Sequence, residues 1–427
     1  MNISEQIRAL AGNHVPPYLY GSNFRPGKTL IPYSGMYWDT EEVEAAIDTF
    51  MNGDWVSAGE KVNEFERMFS VMFHNKRSFM VNSGSSANLV MIAALKEYYG
   101  WKDGDEIIVS PVGFPTTIST ICQNGLKPVF VDIEWDTLNF DLCGIEKKVT
   151  SRTKAVFLSP VLGNPPNMDE LMTICNRFNL KLILDNCDSL GTRWDGNYLN
   201  QFAVASSCSF YAAHHISTGE GGMISSDDEK LMHIVNSLSW WGRDCYCVGS
   251  NNLLKEGTCG KRFSKWLTPL YDGVVDHKYV FSHMGYNFKP LDLQGAIGIV
   301  QLGKFTEISS RRKRSKAIIE RIVTSHIPEV VGVHHFAKSD VNWFGVPFIC
   351  EGKELKQRLV QHFETYKIQT RNYFSGNILL HPGYSHLDDC KKYPEANKVL
   401  DKVFFLGSAP HYGDEVFDYI YGVIKSF

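Results

Sequence analysis

Short apolar runs rich in β-branched residues alternate with helical segments along the first half of the chain, and this alternation limits the fold more than any other feature. The runs are FMV (79–81), EIIVSP (106–111), KPVFVDI (127–133), KAVFLSP (154–160) and KLILDNC (181–187). Strands separated by helices in this way are typical of a mostly parallel sheet with helices on both faces. Ligands of such α/β sheets bind beyond the carboxyl ends of the strands, so the residues that follow the runs are the first site candidates.

The length of the chain predicts more than one packed unit. At 427 residues it exceeds what one compact core usually holds. We expect an N-terminal arm over residues 1–40, in which prolines and glycines interrupt any period, and a large domain over 41–324. The remaining residues, 325–427, predict a smaller C-terminal α+β domain.

Composition argues against several classes of partner. The formal net charge is −4, from 43 Lys and Arg against 47 Asp and Glu, so the chain has no general attraction to nucleic acid or acidic membranes. No apolar run is long enough to span a bilayer, and the N-terminus lacks a charged start followed by an apolar core. We therefore expect a cytoplasmic protein with no nucleic-acid or membrane partner.

Two strand ends carry residues suited to binding a phosphorylated ligand. Asn82–Ala87 (NSGSSA) lies between a strand and a helix, where small residues let backbone N–H groups and the helix N-terminus meet a phosphate. An ordinary tight turn would explain the same residues. Asp185 ends an apolar strand, where a buried carboxylate needs a partner such as a protonated pyridine nitrogen. A helix cap or a buried ion pair is the alternative for Asp185.

The segment CSFYAAHHISTGEGGMIS (208–225) strongly resembles the DegT/DnrJ/EryC1/StrS family of sugar aminotransferases. Further matching blocks, in the family's order, are GDWVSAGEKVNEFE (53–66), VNSGSSAN (81–88), FPTTIST (114–120), LDNCDSLG (184–191), TGEGG (218–222) and GYNFKPLDLQGA (285–296). The resemblance covers nearly the whole chain. It implies the fold type I architecture of pyridoxal-phosphate-dependent transferases, similar to aspartate aminotransferase, with the cofactor bound in the large domain.

The same resemblance assigns cofactor-binding residues to matching positions. They are Gly84, Ser85, Ser86 and Ser209 for the phosphate, Asp185 for the pyridine nitrogen, Phe114 for packing on the ring, and Asn287 for the phosphate of the neighbouring subunit. The last of these assignments implies a homodimer with shared active sites.

One departure from the family pattern concerns the residue that normally tethers the cofactor. Family members have a lysine five residues after the serine, whereas this chain has His214, followed by His215 in place of asparagine. An imidazole cannot form the stable imine that a primary amine forms with an aldehyde. We therefore expect the cofactor to stay as pyridoxamine 5'-phosphate, with His214 as the catalytic proton shuttle. A dead or regulatory relative that still binds the cofactor is the competing interpretation.

Family members with this histidine are of two kinds. One kind resembles GDP-4-keto-6-deoxymannose 3-dehydratase, which needs no metal and regenerates its amine cofactor from glutamate. The other resembles CDP-4-keto-6-deoxyglucose 3-dehydratase, which carries a 2Fe-2S cluster and takes electrons from a separate NAD(P)H-dependent iron–sulfur flavin reductase. In both, the cofactor amine condenses with the carbon-4 ketone of a nucleotide-linked sugar, and the carbon-3 hydroxyl is expelled.

The cysteines favour the second kind. Cys187, Cys245, Cys247 and Cys259 match the cluster ligands of that group, although the gap from Cys247 to Cys259 is four residues longer than expected. Thiolates hold Fe–S clusters, and four of them could also bind zinc. The prediction is a dehydratase of a nucleotide-linked 4-keto-6-deoxyhexose, CDP-linked by resemblance, leading to a 3,6-dideoxyhexose of a surface polysaccharide.

Two residues of the segment TRNYFSGN (370–377) match a family stretch near the sugar nucleotide. Arg371 suits a pyrophosphate because its guanidinium binds phosphate oxygens in a bidentate manner, and Asn377 is the second substrate candidate. A surface arginine would explain Arg371 equally well.

Overall fold

A computed structural model of the protein describes residues 5–7, 9–10, 24–53, 56–245 and 260–427. The strands are β1 Arg77–Val81, β2 Glu106–Val109, β3 Lys127–Phe130, β4 Thr153–Leu158, β5 Lys181–Asp185, β6 Arg193–Trp194, β7 Asn197–Tyr198, β8 Ala205–Ser209, β9 Gly222–Ser226, β10 Phe263–Ser264, β11 Val275–Asp276, β12 Val330–Gly332, β13 Ser339–Asp340, β14 Gly345–Cys350, β15 Thr370–Asn372 and β16 Val403–Gly407. The α-helices are α1 Thr40–Asn52, α2 Glu60–Met72, α3 Gly84–Tyr98, α4 Pro115–Gln123, α5 Leu142–Lys148, α6 Met168–Arg177, α7 Glu229–Ser239, α8 Asp292–His326, α9 Lys353–Thr365, α10 Pro394–Lys402 and α11 Asp414–Lys425.

The large domain is built on a seven-stranded sheet with the order β1-β9-β8-β5-β4-β2-β3. The neighbours from β3 to β8 pair in parallel, whereas β9 is antiparallel to both β8 and β1. The predicted mostly parallel sheet is therefore confirmed. Since β1 and β8 both oppose β9, they run in the same direction as β5, and the carboxyl ends of these three strands lie at one edge.

Helix α3 begins directly at that edge because its first turn is capped. Ser83 has an extended backbone, and its hydroxyl accepts a hydrogen bond from the N–H of Ser86 at 3.1 Å. This bond satisfies one of the N–H groups that a helix leaves unpaired at its start. The helix N-terminus therefore points its remaining N–H groups at the space beyond the strand ends.

The small domain packs its helices on a four-stranded antiparallel sheet with the order β12-β14-β16-β15. Its core includes Phe348 and Phe404 from the sheet and Val323 from α8. Helix α8 has 35 residues, so it is about 50 Å long and reaches both domains. The predicted domain boundary at residue 324 falls inside this helix.

Part of the predicted arm also belongs to the small domain. Ile31 pairs in parallel with Ile368 and lies in the small-domain core. Its neighbour Tyr33 is therefore fixed beside β15, although the chain between them spans the whole large domain. Among the described residues, no helix is both long enough and apolar enough to cross a membrane.

Candidate active site

A cavity of about 580 Å³ lies where the carboxyl edge of the large sheet faces the small domain. The predicted site residues that line it are Gly84, Ser85, Phe114, Asp185, Cys187, Ser209, His214 and Arg371. Segments far apart in sequence therefore converge on one space. This volume is in the usual range for a site that takes a cofactor-sized ligand.

The start of α3 and the end of β8 form a narrow cradle on one side of the cavity. A Cβ added to Gly84 would lie 2.5 Å from the Cβ of Ser209, so only glycine leaves room at this contact. Ser85 is exposed at the helix start. Backbone N–H groups, a hydroxyl and the positive end of a helix are the features that hold a phosphate, so the cradle fits the phosphate of pyridoxamine phosphate.

Ser86 does not contribute to the cradle in the predicted way. Its N–H is already bonded to the hydroxyl of Ser83, and its side chain does not line the cavity. Ser83 lies in the predicted 82–87 turn but was not among the residues assigned to the phosphate, and it lines the cavity instead. Its signal was the N-cap position that serine favours one residue before a helix.

Asp185 ends β5 as a buried carboxylate that is 3% exposed. Its Oδ2 accepts hydrogen bonds from Asn88 at 2.8 Å and from Thr117 at 2.7 Å, and Oδ1 accepts the N–H of Cys187 at 3.3 Å. All three donors are neutral, so the negative charge has no cationic partner among the described side chains. A buried carboxylate in this condition fits a protonated pyridine nitrogen.

His214 lines the cavity from the loop after β8, and its side chain is 15% exposed. Its Nδ1 lies 3.7 Å from Oδ1 of Asp188, too far for a hydrogen bond, and has no other hydrogen-bond partner among the described residues. Burial and the nearby Arg312 guanidinium lower the pKa of His214 to about 3. The imidazole is therefore neutral near pH 7. None of the described residues that line the cavity is a lysine.

His215, next in the chain, points elsewhere. Its Nε2 lies 2.8 Å from the carbonyl oxygen of Asn342, and the side chain is buried outside the cavity. Burial holds its pKa well below the ordinary range. Of the two histidines, His214 therefore faces the cavity, whereas His215 holds the loop through its contact with the Asn342 carbonyl.

The opposite wall of the cavity comes from the small domain and from the segment before α1. The guanidinium of Arg371 lies over the ring of Tyr33, 4.2 Å from its centroid. Asn372 and Phe374 also line this wall, and Phe374 meets Phe114 edge to face at 6.2 Å. Tyr33 was not predicted, because its only signal was an apolar Ile-Pro-Tyr run in the proline-containing arm.

Asn377 does not line the cavity, which corrects its predicted role as a substrate residue. It is fully buried, donates to Oδ1 of Asn397 at 2.7 Å and accepts the N–H of Leu379 at 3.0 Å. Both ends of its amide are therefore occupied by the protein. Asn287 is exposed outside the cavity of its own chain, bonded to Lys289, and its contact across a dimer stays a prediction.

The described residues do not assemble the predicted four-cysteine cluster. Cys187 lines the main cavity, whereas Cys245 lines a separate depression of about 530 Å³ together with Glu97 and Tyr98. The main cavity includes the start of α3, whereas the depression includes Glu97 and Tyr98 at the end of that helix. Cys247 and Cys259 lie outside the described residues.

The thiol of Cys187 is buried beside the Asp185 carboxylate. Burial first, and then the Asp185 carboxylate, raise the pKa of Cys187 well above its ordinary value. Within the described part of the chain, no group of three or more His, Cys, Asp or Glu side chains is arranged to hold a metal ion.

Relatives of this chain include the lipopolysaccharide biosynthesis protein RfbH of Salmonella typhimurium, 34% identical over 100% of this chain and 98% of that protein. The dTDP-4-dehydro-2,6-dideoxy-D-glucose 3-dehydratase of Saccharopolyspora spinosa is 37% identical over 95% of this chain and 88% of that protein.

Solved structures of related proteins have the same fold as this chain. The GDP-4-keto-6-deoxy-D-mannose-3-dehydratase of E. coli, with bound hydrated PLP, is similar with a TM-score of 0.80 and 30% identity, over 93% of this chain and all of that chain. The predicted fold type I architecture is thereby confirmed. The family match covers residues 38–425. The chain therefore belongs to the DegT/DnrJ/EryC1/StrS aminotransferase family.

Proposed function

We propose that this protein is a pyridoxamine-phosphate-dependent 3-dehydratase of a nucleotide-linked 4-keto-6-deoxyhexose, acting in deoxysugar biosynthesis. The observation that carries the proposal is His214, a neutral imidazole in the cavity at the place where family members have their lysine. The absence of lysine from the described cavity lining supports a cofactor held without a covalent bond. The 3-dehydratase activities of the relatives from S. spinosa and E. coli support the same reaction class.

The cofactor would supply an amine for the carbon-4 ketone and a ring that accepts electrons. Ser83, Ser85 and Ser209, with the N-terminus of α3, would hold its phosphate. Asp185 would keep its ring nitrogen protonated, because the carboxylate is buried and bonded only to neutral donors. Phe114, half exposed on the cavity wall, would cover the ring face.

His214 would move the proton that the reaction requires. A neutral imidazole can take a proton from the amine-bearing methylene carbon and return it to the hydroxyl that leaves carbon 3. A lysine at this place would instead hold the cofactor covalently and favour transfer of an amino group. The histidine therefore argues against an ordinary aminotransferase.

The wall formed by Tyr33, Arg371 and Asn372 would bind the sugar nucleotide. Arg371 is the cation on that wall suited to a pyrophosphate. We propose a CDP-linked substrate on the basis of the family resemblance, and dTDP- and GDP-linked sugars are the alternatives to be separated by assay.

Removal of the carbon-3 oxygen requires two electrons, and two sources compete. The cysteine spacing favours a 2Fe-2S cluster fed by an NAD(P)H-dependent reductase. The separation of Cys187 from Cys245 favours the second candidate, a cluster-free enzyme that regenerates its amine from glutamate. Anaerobically purified protein with matched iron and sulfide would support the cluster. Colourless protein, or protein holding only zinc, would reject it.

The main experiment supplies CDP-, dTDP- and GDP-linked 4-keto-6-deoxyhexoses separately to protein loaded with pyridoxamine phosphate. We expect mass spectrometry to find one sugar that loses its carbon-3 oxygen, with either glutamate or a reduced electron donor present. His214→Asn protein should bind the cofactor and leave every sugar unchanged. Amino transfer to carbon 4 without loss of oxygen would refute the proposal, and binding without any turnover would favour a non-catalytic relative.

A companion experiment tests the tether directly. After loading with pyridoxal phosphate and borohydride reduction, we expect covalently attached cofactor in His214→Lys protein and none in the parent. Attachment to a lysine of the parent would contradict the role given to His214.

A further inference from the structure

A fully buried arginine lies behind the loop that carries His214. Arg312, on α8, has no exposed surface, and in the described part of the chain its guanidinium donates to backbone carbonyl oxygens only. Nη2 bonds the oxygens of Ala213 at 3.2 Å and His214 at 3.0 Å, and Nη1 bonds that of Phe344 at 3.1 Å. Three acceptors on two separate segments are therefore held by one side chain.

This arrangement is unusual for a buried cation. Moving a charge out of water costs several kcal/mol, and a hydrogen-bonded carboxylate normally compensates for it. Arg312 bonds no carboxylate among the described side chains, and its Nε has no partner. Packing alone could be achieved by an apolar side chain of similar volume, so the guanidinium points to a specific use.

The segments that Arg312 joins both fix the imidazole of His214. One is the His214 backbone itself, whose N–H is also bonded to the carbonyl of Tyr211 at 3.0 Å. The other carries Phe344, whose ring lines the cavity and lies 5.3 Å from the His214 ring. Arg312 thus sets both the point from which the imidazole projects and the aromatic surface against which it rests.

We propose that Arg312 is a positioning residue for His214, holding the 213–214 carbonyls and the Phe344 segment so that the imidazole faces the cavity. The inference rests on the proposed function. Arginine is needed because its planar fork presents donors in several fixed directions, whereas a lysine presents them from one nitrogen. Ser34, which donates to the carbonyl of Ala213 at 2.5 Å, holds the same loop from the other side.

The test compares Arg312→Lys with Arg311→Gln. Arg311 is the adjacent residue on α8, but it is exposed and pairs with Glu307 at 2.8 Å. Arg312→Lys keeps the charge and most of the stem, so we expect it to fold and to bind pyridoxamine phosphate as the parent does. Arg311→Gln should match the parent in every measurement.

The first readout is proton transfer at the cofactor's methylene carbon. With a 4-keto-6-deoxyhexose nucleotide and no electron source, exchange of this hydrogen with solvent deuterium should be about a hundredfold slower in Arg312→Lys, because a displaced base transfers protons poorly. In turnover, kcat should fall while KM for the sugar nucleotide is unchanged. If Arg312 served only stability, its substitution would lower the melting temperature without lowering kcat at unchanged KM.

The second readout needs no cofactor. In ¹³C-histidine-labelled protein, the His214 resonance, assigned by its loss in His214→Asn, should be sharp in the parent and broadened or split in Arg312→Lys. Parent-like exchange together with a parent-like resonance would overturn the inference, as would failure of Arg312→Lys to fold. If the parent itself shows no exchange with any sugar, the proposed function fails, and the resonance still decides the role of Arg312.

Discussion

The two walls of the cavity differ in how the chain fixes their polar groups. On the cofactor wall, Asp185 and Ser209 end adjacent strands of one sheet, and Asp185 already has three hydrogen-bond donors. On the other wall, Arg371 is exposed, lies over the ring of Tyr33 and donates a hydrogen bond to the carbonyl oxygen of Thr370 at 2.8 Å. The first wall is preformed by the sheet, whereas the second joins segments from opposite ends of the chain.

This difference assigns the two walls different tasks. A rigid sheet edge suits a cofactor that is the same in every turnover. Side chains on short peripheral segments can change without disturbing the core, which suits recognition of one particular sugar nucleotide. Substitutions on the first wall should therefore impair cofactor binding and chemistry together, and those on the second should change KM alone.

The largest expected effect on the cofactor wall follows from Asp185→Asn. Removing one partner of a buried ion pair costs about 3–5 kcal/mol, so the affinity for pyridoxamine phosphate should fall by a hundredfold or more. Turnover should fall with it. Absorbance titration with the cofactor measures the first effect, and exposed Asp195→Asn is the matched control. Undiminished affinity would show that Asp185 is not the partner of the ring nitrogen.

A steric change tests the phosphate cradle. Gly84→Ala places a Cβ 2.5 Å from the Cβ of Ser209. Overpacking of this kind costs about 1–3 kcal/mol of stability, and relief of the clash would move the start of α3 away from Ser209, so cofactor affinity should weaken about tenfold or more. In the control Gly303→Ala, on α8, the new Cβ meets nothing within 4 Å, and affinity should be unchanged. Equal affinities for the two variants would contradict the placement of the phosphate.

The residues of the cofactor wall were largely predictable, because a pattern of neighbouring residues in the sequence marks most of them. A buried β-run followed at once by a carboxylate or by small polar residues marks a strand end, and parallel strands bring such ends together. Asp185, Gly84 and Ser85 carry this signal and line the cavity. Ser209 also lines it, but it ends the polar strand β8 and was assigned by the family resemblance alone.

The second wall depends on contacts that no local pattern reveals. Tyr33 reaches the cavity because Ile31 pairs with Ile368 in the small domain. Asn377 shares a segment with Arg371, yet its side-chain amide is already hydrogen-bonded to Asn397 and to the N–H of Leu379. The family resemblance likewise grouped Cys187 with Cys245, whereas the first lines the main cavity and the second lines a separate depression.

Removal of the Arg371 charge from the second wall should have an intermediate effect, on KM for the sugar nucleotide. A hydrogen bond to a charged group contributes about 1.5–3 kcal/mol, so Arg371→Gln should raise KM for the sugar nucleotide about tenfold or more. Cofactor affinity should not change. Arg358→Gln, an exposed arginine on α9, is the control. A loss of cofactor affinity in Arg371→Gln would abolish the distinction between the walls.

The smallest effect is expected from Tyr33→Ala, because a cation–π contact at an exposed site contributes about 0.5–1 kcal/mol. KM should rise only a few-fold, with kcat and cofactor affinity as in the parent. In the Arg371→Gln background the same change should add almost nothing, since the ring acts through the guanidinium that has been removed. Steady-state kinetics of the four proteins give the coupling. If Tyr33→Ala raises KM equally in both backgrounds, Tyr33 contacts the substrate directly and independently of Arg371. A coupling would instead show that this wall works as one unit, assembled from the N-terminal segment and the small domain.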